Sequence, residues 1–196
     1  MWDIAPEFGA AIVFAEHRYY GESLPFGNET YSNISTMAYL SSEQALGDFA
    51  VLIKYLKEKR INNATKKAVV SFGGSYGGML TAWMRIKYPH LIVGGLASSA
   101  PVHYFENVTS GHSYFDITIR TFENSGYPWS GGGWRQTTTN VGSLYSYVVE
   151  DSAHHYDLRG EHPLDTQSIK ELRNKEKMHI HQWITEANNI ANNINE

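Results

Sequence analysis

Short apolar, β-branched runs alternate along the chain with stretches whose apolar residues recur every three or four positions. Ala11–Ala15, Ala68–Phe72, Ile92–Ala97, Ile117–Phe122 and Tyr145–Val149 each read as a buried strand. Between them, Ser41–Lys59 sets Ala45, Phe49, Leu52, Ile53 and Leu56 on one helical face, with Ser41 or Ser42 available as the cap. Gly77–Lys87 is helical in composition and stops before Pro89, since proline cannot extend a helix. A last helix, about Thr166–Ile190, carries Ile169, Leu172, Ile180, Trp183 and Ile184 opposite a charged face. Strands that alternate with helices predict an α/β domain built on a mostly parallel sheet flanked by helices.

Composition narrows this picture. At 196 residues, 42% hydrophobic and 18% charged, the chain has the balance of a single globular domain. A formal net charge of -4 offers no basic field, so neither nucleic acid nor an anionic membrane surface is an expected partner. The longest apolar stretches, Ala10–Ala15 and Ile92–Ala97, fall far short of the ~20 residues that cross a bilayer. With no cysteine, disulfides, thiolate metal sites and a cysteine nucleophile are excluded. Asn28-Glu-Thr30, Asn33-Ile-Ser35, Asn63-Ala-Thr65 and Asn107-Val-Thr109 are glycosylation acceptors, which points to the secretory pathway. The opening Met1-Trp-Asp-Ile-Ala-Pro-Glu-Phe8 has neither the basic nor the apolar region of a signal peptide.

The chemistry centres on Val69-Val-Ser-Phe-Gly73-Gly-Ser75-Tyr-Gly77-Gly-Met79, a strand, then G-x-S-x-G, then a helix. In that context the serine sits on a tight turn with its hydroxyl exposed, and glycines two before and two after relieve the crowding. Amides at the helix start then face an oxygen at Ser75, and the Tyr76 N–H can donate to a tetrahedral oxyanion. A glycine-rich turn of this kind can instead cradle phosphate, but Gly73–Gly78 contains no P-loop pattern. The serine needs a base. Asp151-Ser-Ala-His154-His155-Tyr-Asp157 follows the last expected strand, where chain order in serine hydrolases of this type puts the histidine. No further ligands stand at fixed spacing around that pair, so no metal or other cofactor is expected, and His179 and His181 read as helix-surface residues.

Six segments in order then resemble one family. Glu16-His-Arg-Tyr-Tyr-Gly-Glu-Ser23, Ser42-Glu-Gln-Ala-Leu-Gly-Asp-Phe49, the Gly73–Gly78 turn, Ala97-Ser-Ser-Ala-Pro-Val102, Pro128-Trp-Ser-Gly-Gly-Gly133 and Ala153-His-His155 are similar to signatures of the serine carboxypeptidase family of lysosomal Pro-X carboxypeptidase and dipeptidyl peptidase II. The resemblance implies an α/β-hydrolase fold, a lysosomal or secreted peptidase, and peptide substrates with proline near the scissile bond. It assigns Ser75 as nucleophile, His154 as base, and Met79 and Trp129 to the proline pocket, a role that apolar and aromatic groups can fill.

Two departures accompany it. The family has aspartate before Pro-Trp-Ser-Gly-Gly-Gly, whereas Tyr127 stands here, so the acid of the triad is missing from its position. By family comparison, the early strands and a second oxyanion donor belong before Met1. The helical cap belongs near Thr118–Phe122, where two family segments join as if across a deletion. The expectation is one incomplete α/β-hydrolase domain over 1–196, its cap absent, with a nucleophile half at 1–118 and a histidine-bearing segment at 119–196. The resemblance leaves open a peptidase, a non-catalytic glycosylated remnant of one, or an esterase on the same fold.

Overall fold

A computed structural model describes residues 1–124, 145, 147, 149 and 154–193. From the amino end come a one-turn helix α1 (Ile34–Met37) and then α2 (Ser42–Tyr55). There follow β1 (Val70–Gly74), α3 (Tyr76–Lys87), β2 (Gly94–Ser98), α4 (Ser113–Asn124) and α5 (Gln167–Asn193). α1 starts where the Asn33 side chain accepts the amides of Ser35 and Thr36, and α2 where Ser41 accepts the amide of Gln44. In both, a polar oxygen satisfies donors that an open helix end leaves unpaired. α2 runs on into one wider turn, Leu56–Arg60, anchored by Lys57 donating to the Lys67 carbonyl at 2.8 Å.

β1 and β2 pair in parallel, with Val70 opposite Gly94 and Gly74 opposite Ser98, and α3 is the crossover between them. Side chains alternate across a strand, so neighbouring glycines report what covers each face. A methyl group placed on Gly95 would meet the Thr81 side chain of α3 at 2.9 Å, whereas one on Gly94 would meet the Trp183 ring of α5 at 2.1 Å. The sheet is therefore sandwiched between α3 and α5. Behind α3 the core gathers Leu46, Leu80, Met84 and Ile92, with Phe49, Ile53, Val69, Trp83, Tyr88 and Leu91 packed around them.

The expected sheet is corrected in three places. Ala11–Ala15 is not in a strand, with Phe14 exposed, and among the described residues no strand lies against it to take up its backbone groups. Ile117–Phe122 is helical, within α4. Its two-residue alternation is brief, and positions 115, 119 and 122 recur at the spacing of a helix, with Thr118 Oγ1 donating to the Tyr114 carbonyl at 2.8 Å. The Tyr145–Val149 run falls partly outside the described residues, and Tyr145, Tyr147 and Val149 themselves are not in a strand. Among the described residues the sheet thus has two strands.

Candidate active site

Ser75 occupies the single residue between β1 and α3, at φ 57° and ψ -123°. Its N–H donates to the Ser98 carbonyl at 3.0 Å and its carbonyl accepts the Met79 N–H at 3.0 Å, so the turn is tied to the end of β2 and to the first turn of α3. The chain folds back so sharply that a methyl group on Gly73 would lie 2.0 Å from the Gly77 carbonyl oxygen. Gly77 is different: a methyl there meets nothing within 4 Å among the described residues. Crowding therefore falls on Gly73 and not, as the motif suggests, on both glycines. At the start of α3, the Tyr76 N–H precedes the first intrahelical bond and belongs to the donors left free for an anion. Met79 lies one turn on, half-buried.

An aromatic pair that sequence reasoning missed fixes the Tyr76 side chain. His17 Nδ1 lies 2.7 Å from the Arg18 carbonyl, which can only accept, so Nδ1 carries the proton. In the neutral ring Nε2 then accepts from the Tyr76 hydroxyl, 3.0 Å away, and in the protonated ring it donates to it. Arg18, next in sequence, grips Asp48 of α2 with two bonds of 2.6 Å and also reaches Gln44 Oε1 at 3.0 Å and the Tyr39 carbonyl at 3.2 Å. The segments Glu16–Ser23, Ser42–Phe49 and Gly73–Gly78 thereby meet around one turn. Their distance along the chain hides this contact.

The histidine turn lies at the same edge of the sheet. His155 adopts a left-handed backbone, φ 43°, and donates its N–H to Ser99 Oγ at 2.9 Å. Its ring covers Gly74, where an added methyl would come within 2.8 Å of the ring carbon Cγ. His154 is exposed, with ring centroids 4.6 Å from His155. Partial desolvation, followed by the nearby His155, moves its pKa below the ordinary histidine value, with Asp157 opposing. Among the described residues no hydrogen bond joins the Ser75 hydroxyl to an imidazole, and Tyr127 and Trp129 lie outside those residues.

Below the turn sits a carboxyl cluster. Asp157 Oδ1 accepts the Ser98 hydroxyl at 2.5 Å, and Glu176 of α5 is electrostatically coupled to the Asp157 carboxyl group. Burial first, and Asp157 second, push Glu176 up to about 8. Arg173 donates to the Asp157 and Tyr156 carbonyls, both at 3.2 Å, and pairs with buried Asp165. The sequence does carry a signal for Glu176: it stands four residues after Leu172 and four before Ile180, on the inward stripe of α5. His179 and His181 are less idle than a surface reading implies. His179 stacks on Tyr145 at 3.6 Å, and His181 packs on Phe8 and reaches Glu7 at 3.2 Å. A concavity of about 520 Å³ under Tyr104–Gly111 includes no residue of the serine turn or the histidine turn. No helix among the described residues is long and apolar enough to cross a membrane.

Comparison with known proteins bears on the first two thirds of the chain. Residues 1–127 match the family described as serine carboxypeptidase S28. Lysosomal Pro-X carboxypeptidase of Homo sapiens is 52% identical over 126 residues, 64% of this chain and 25% of that protein. Prolyl carboxy peptidase like protein 5 of Caenorhabditis elegans is 53% identical over 127 residues, 64% of this chain and 25% of that protein. Thymus-specific serine protease of Homo sapiens is 41% identical over 118 residues, 60% of this chain and 22% of that protein. The chain spans about a quarter of the length of these curated relatives. Of the six resembling segments, those up to Val102 lie within the family match, and those at Pro128–Gly133 and Ala153–His155 lie beyond it.

Proposed function

The chain belongs to the serine carboxypeptidase S28 family, and from that membership we propose that Ser75 is the nucleophile of a serine-type peptidase whose substrates carry proline beside the scissile bond. The observation that carries this reading is Ser75 at φ 57°, alone between a strand and a helix. A non-glycine residue held in that region marks a turn built for its side chain rather than for the backbone. In this reading Ser75 Oγ attacks the carbonyl and the Tyr76 N–H stabilises the oxyanion. His154 takes the proton, and because its pKa is lowered by partial burial it stays neutral, and so able to accept, further into acidic solution. Met79 and Trp129 flank the proline ring. The fold is the corresponding part of an α/β hydrolase, with a nucleophile half at 1–118 and a histidine segment at 119–196. Asn28, Asn33, Asn63 and Asn107 carry glycans in a lysosomal or secreted protein.

Turnover by this chain is slow in the same reading, because Tyr127 stands where the orienting carboxylate belongs. An amide in place of that acid costs ~10⁴-fold in a serine protease of another fold, and a phenol with an ordinary pKa near ~10 offers no more charge at neutral pH. The test is covalent labelling with a fluorophosphonate, alongside hydrolysis of a reporter peptide with penultimate proline. The expected outcome is slow, stoichiometric labelling of wild type, none of Ser75→Ala, and weak Ser75-dependent turnover. Equal labelling of the two proteins would sink the assignment, and rapid turnover would remove the need for an acid at position 127.

A further inference from the structure

The loop Glu16–Ser23 has no part in the reaction as derived so far, yet it is held more closely than a connecting loop needs. Glu16 Oε2 accepts the amides of Glu22 and Ser23 at 3.0 and 2.8 Å. A methyl group on Gly21, at φ 58°, would lie 1.8 Å from Glu16 Oε1, so the carboxylate is wrapped by the backbone it binds. Tyr19 keeps a left-handed backbone, φ 71°, while its N–H donates to the Ser23 carbonyl at 2.7 Å and its buried side chain donates to the Thr36 carbonyl. A non-glycine residue stays in that region only where its surroundings over-determine it, and such residues gather at functional sites. The two bonds from Arg18 to Asp48 anchor this frame on α2. Out of it His17 reaches the serine turn. Its half-buried ring lies among those of Tyr20, Phe49 and Tyr76, with centroids 5.2, 6.4 and 5.7 Å away, and its Nε2 is 3.0 Å from the Tyr76 hydroxyl.

The peptide that joins Ser75 to Tyr76 carries the N–H assigned to the oxyanion. At one end its carbonyl accepts the Met79 N–H at 3.0 Å. At the other end is the Tyr76 Cα, and the phenol attached there is rigid from Cβ to its oxygen, so holding the hydroxyl restricts where that Cα can move. We propose that His17 is a positioning residue for the site: by holding the Tyr76 hydroxyl it fixes the second end of this peptide and so aims the Tyr76 N–H at the oxyanion. Aim matters because a donor lowers the barrier only when it already points to where charge develops, and a displacement of ~1 Å can cost ~10²-fold in rate. The bond also persists in either charge state of the imidazole, since a phenol can donate to the neutral ring or accept from the protonated one.

The inference rests on the peptidase reading, which supplies the oxyanion, and its test separates the two. The full chain is labelled with a fluorophosphonate, whose phosphoryl oxygen takes the oxyanion's place, and the maximal labelling rate is resolved from the half-saturating concentration. His17→Phe keeps an aromatic ring against Tyr20, Phe49 and Tyr76 but has no nitrogen. Its maximal rate should fall about tenfold with the half-saturating concentration unchanged, less than the ~10²-fold or more for losing such a donor outright, because the N–H is still present. Tyr76→Phe should fall equally, and the double variant should be no slower than either single one, since all three lose the same bond. His17→Gln, whose terminal amide reaches the place of Nε2 but not that of Nδ1, should restore most of the rate, which a structural role of the Nδ1 bond to Arg18 would not allow. Melting curves establish that each variant is folded, and Tyr76→Phe decides the matter if His17→Phe is not. An unchanged maximal rate in either single variant, losses that multiply in the double variant, or no recovery in His17→Gln overturns the positioning role and leaves the peptidase reading standing. Failure of Ser75 to label in wild type removes that reading and this inference with it.

Discussion

At Ser75 the backbone sits where an L-residue is held at a cost of about 1–3 kcal/mol, and the surrounding turn must over-determine it. Gly73 is the residue that permits this. Replacing it by alanine drives a methyl group to 2.0 Å from the Gly77 carbonyl oxygen, a backbone atom that can yield only if the turn itself opens. Gly73→Ala should therefore destabilise by about 3 kcal/mol, the upper end for forced overpacking. Gly77→Ala should be near neutral, since its added methyl meets no described atom within 4 Å and alanine favours the helix. Melting curves of the two variants compare them directly; equal losses would contradict the asymmetry. The glycosylation sites also turn on single atoms. Asn33 caps α1 through Oδ1, accepting from Ser35 and Thr36, while its Nδ2 donates only to Ser32. A glycan is linked through Nδ2, so Asn33 can be modified with its cap intact. All four asparagines are exposed. Secretion from a eukaryotic host should give a mobility shift that enzymatic deglycosylation abolishes and that Asn→Gln changes remove stepwise.

Among the elements, the loop at Glu16–Ser23 gains its place through Arg18. Its guanidinium is mostly covered, makes two bonds to Asp48 and further ones to Gln44 and the Tyr39 carbonyl, and so ties the loop carrying His17 to α2. Lysine keeps the charge but not the planar fork, so Arg18→Lys should cost about 1–2 kcal/mol and lower the melting midpoint by several degrees. An unchanged midpoint would mean that the pair is as idle as most surface ion pairs. This scale also separates what the sequence discloses from what it hides. β1, the serine turn and α3 are legible because a strand, a tight turn and a helix follow one another with no distant partner required, and Ser41 and the stripe of α2 are equally local. Ala11–Ala15 misleads because a β-branched run says nothing about whether a neighbour is there to pair with it. Ile117–Phe122 misleads because a short run satisfies both periods, and the preceding Phe115 decides for the helix. The bond from His17 to Tyr76 and the one from Ser98 to Asp157 each span 59 residues, beyond the reach of any local pattern.

For the whole molecule the governing feature is a small sheet with much apolar surface around it. Two strands alone rarely hold together in water, and here the described strands are stabilised by α3 on one face and α5 on the other. Their outer edges are unpaired among the described residues, which leaves rows of backbone donors and acceptors open to another chain. Elsewhere on the surface Trp2, Phe14, Ile34, Val51 and Leu164 stand at 65% exposure or more. Trp2 and Phe14 pack against each other, with ring centroids 5.4 Å apart, rather than against the core. Isolated exposed apolar side chains are ordinary, but unpaired sheet edges together with exposed paired aromatic rings promote association. The chain is therefore expected to self-associate at micromolar concentration, sedimenting heavier than its 22.1 kDa monomer and binding a hydrophobic dye. Its melting midpoint should rise with protein concentration, because association stabilises by mass action. Dilution should return the monomer with a broad, weakly cooperative transition, since only four buried side chains form the core cluster among the described residues. A monomer at all concentrations with one sharp, concentration-independent transition would show that the edges and aromatic surface are covered within the chain itself.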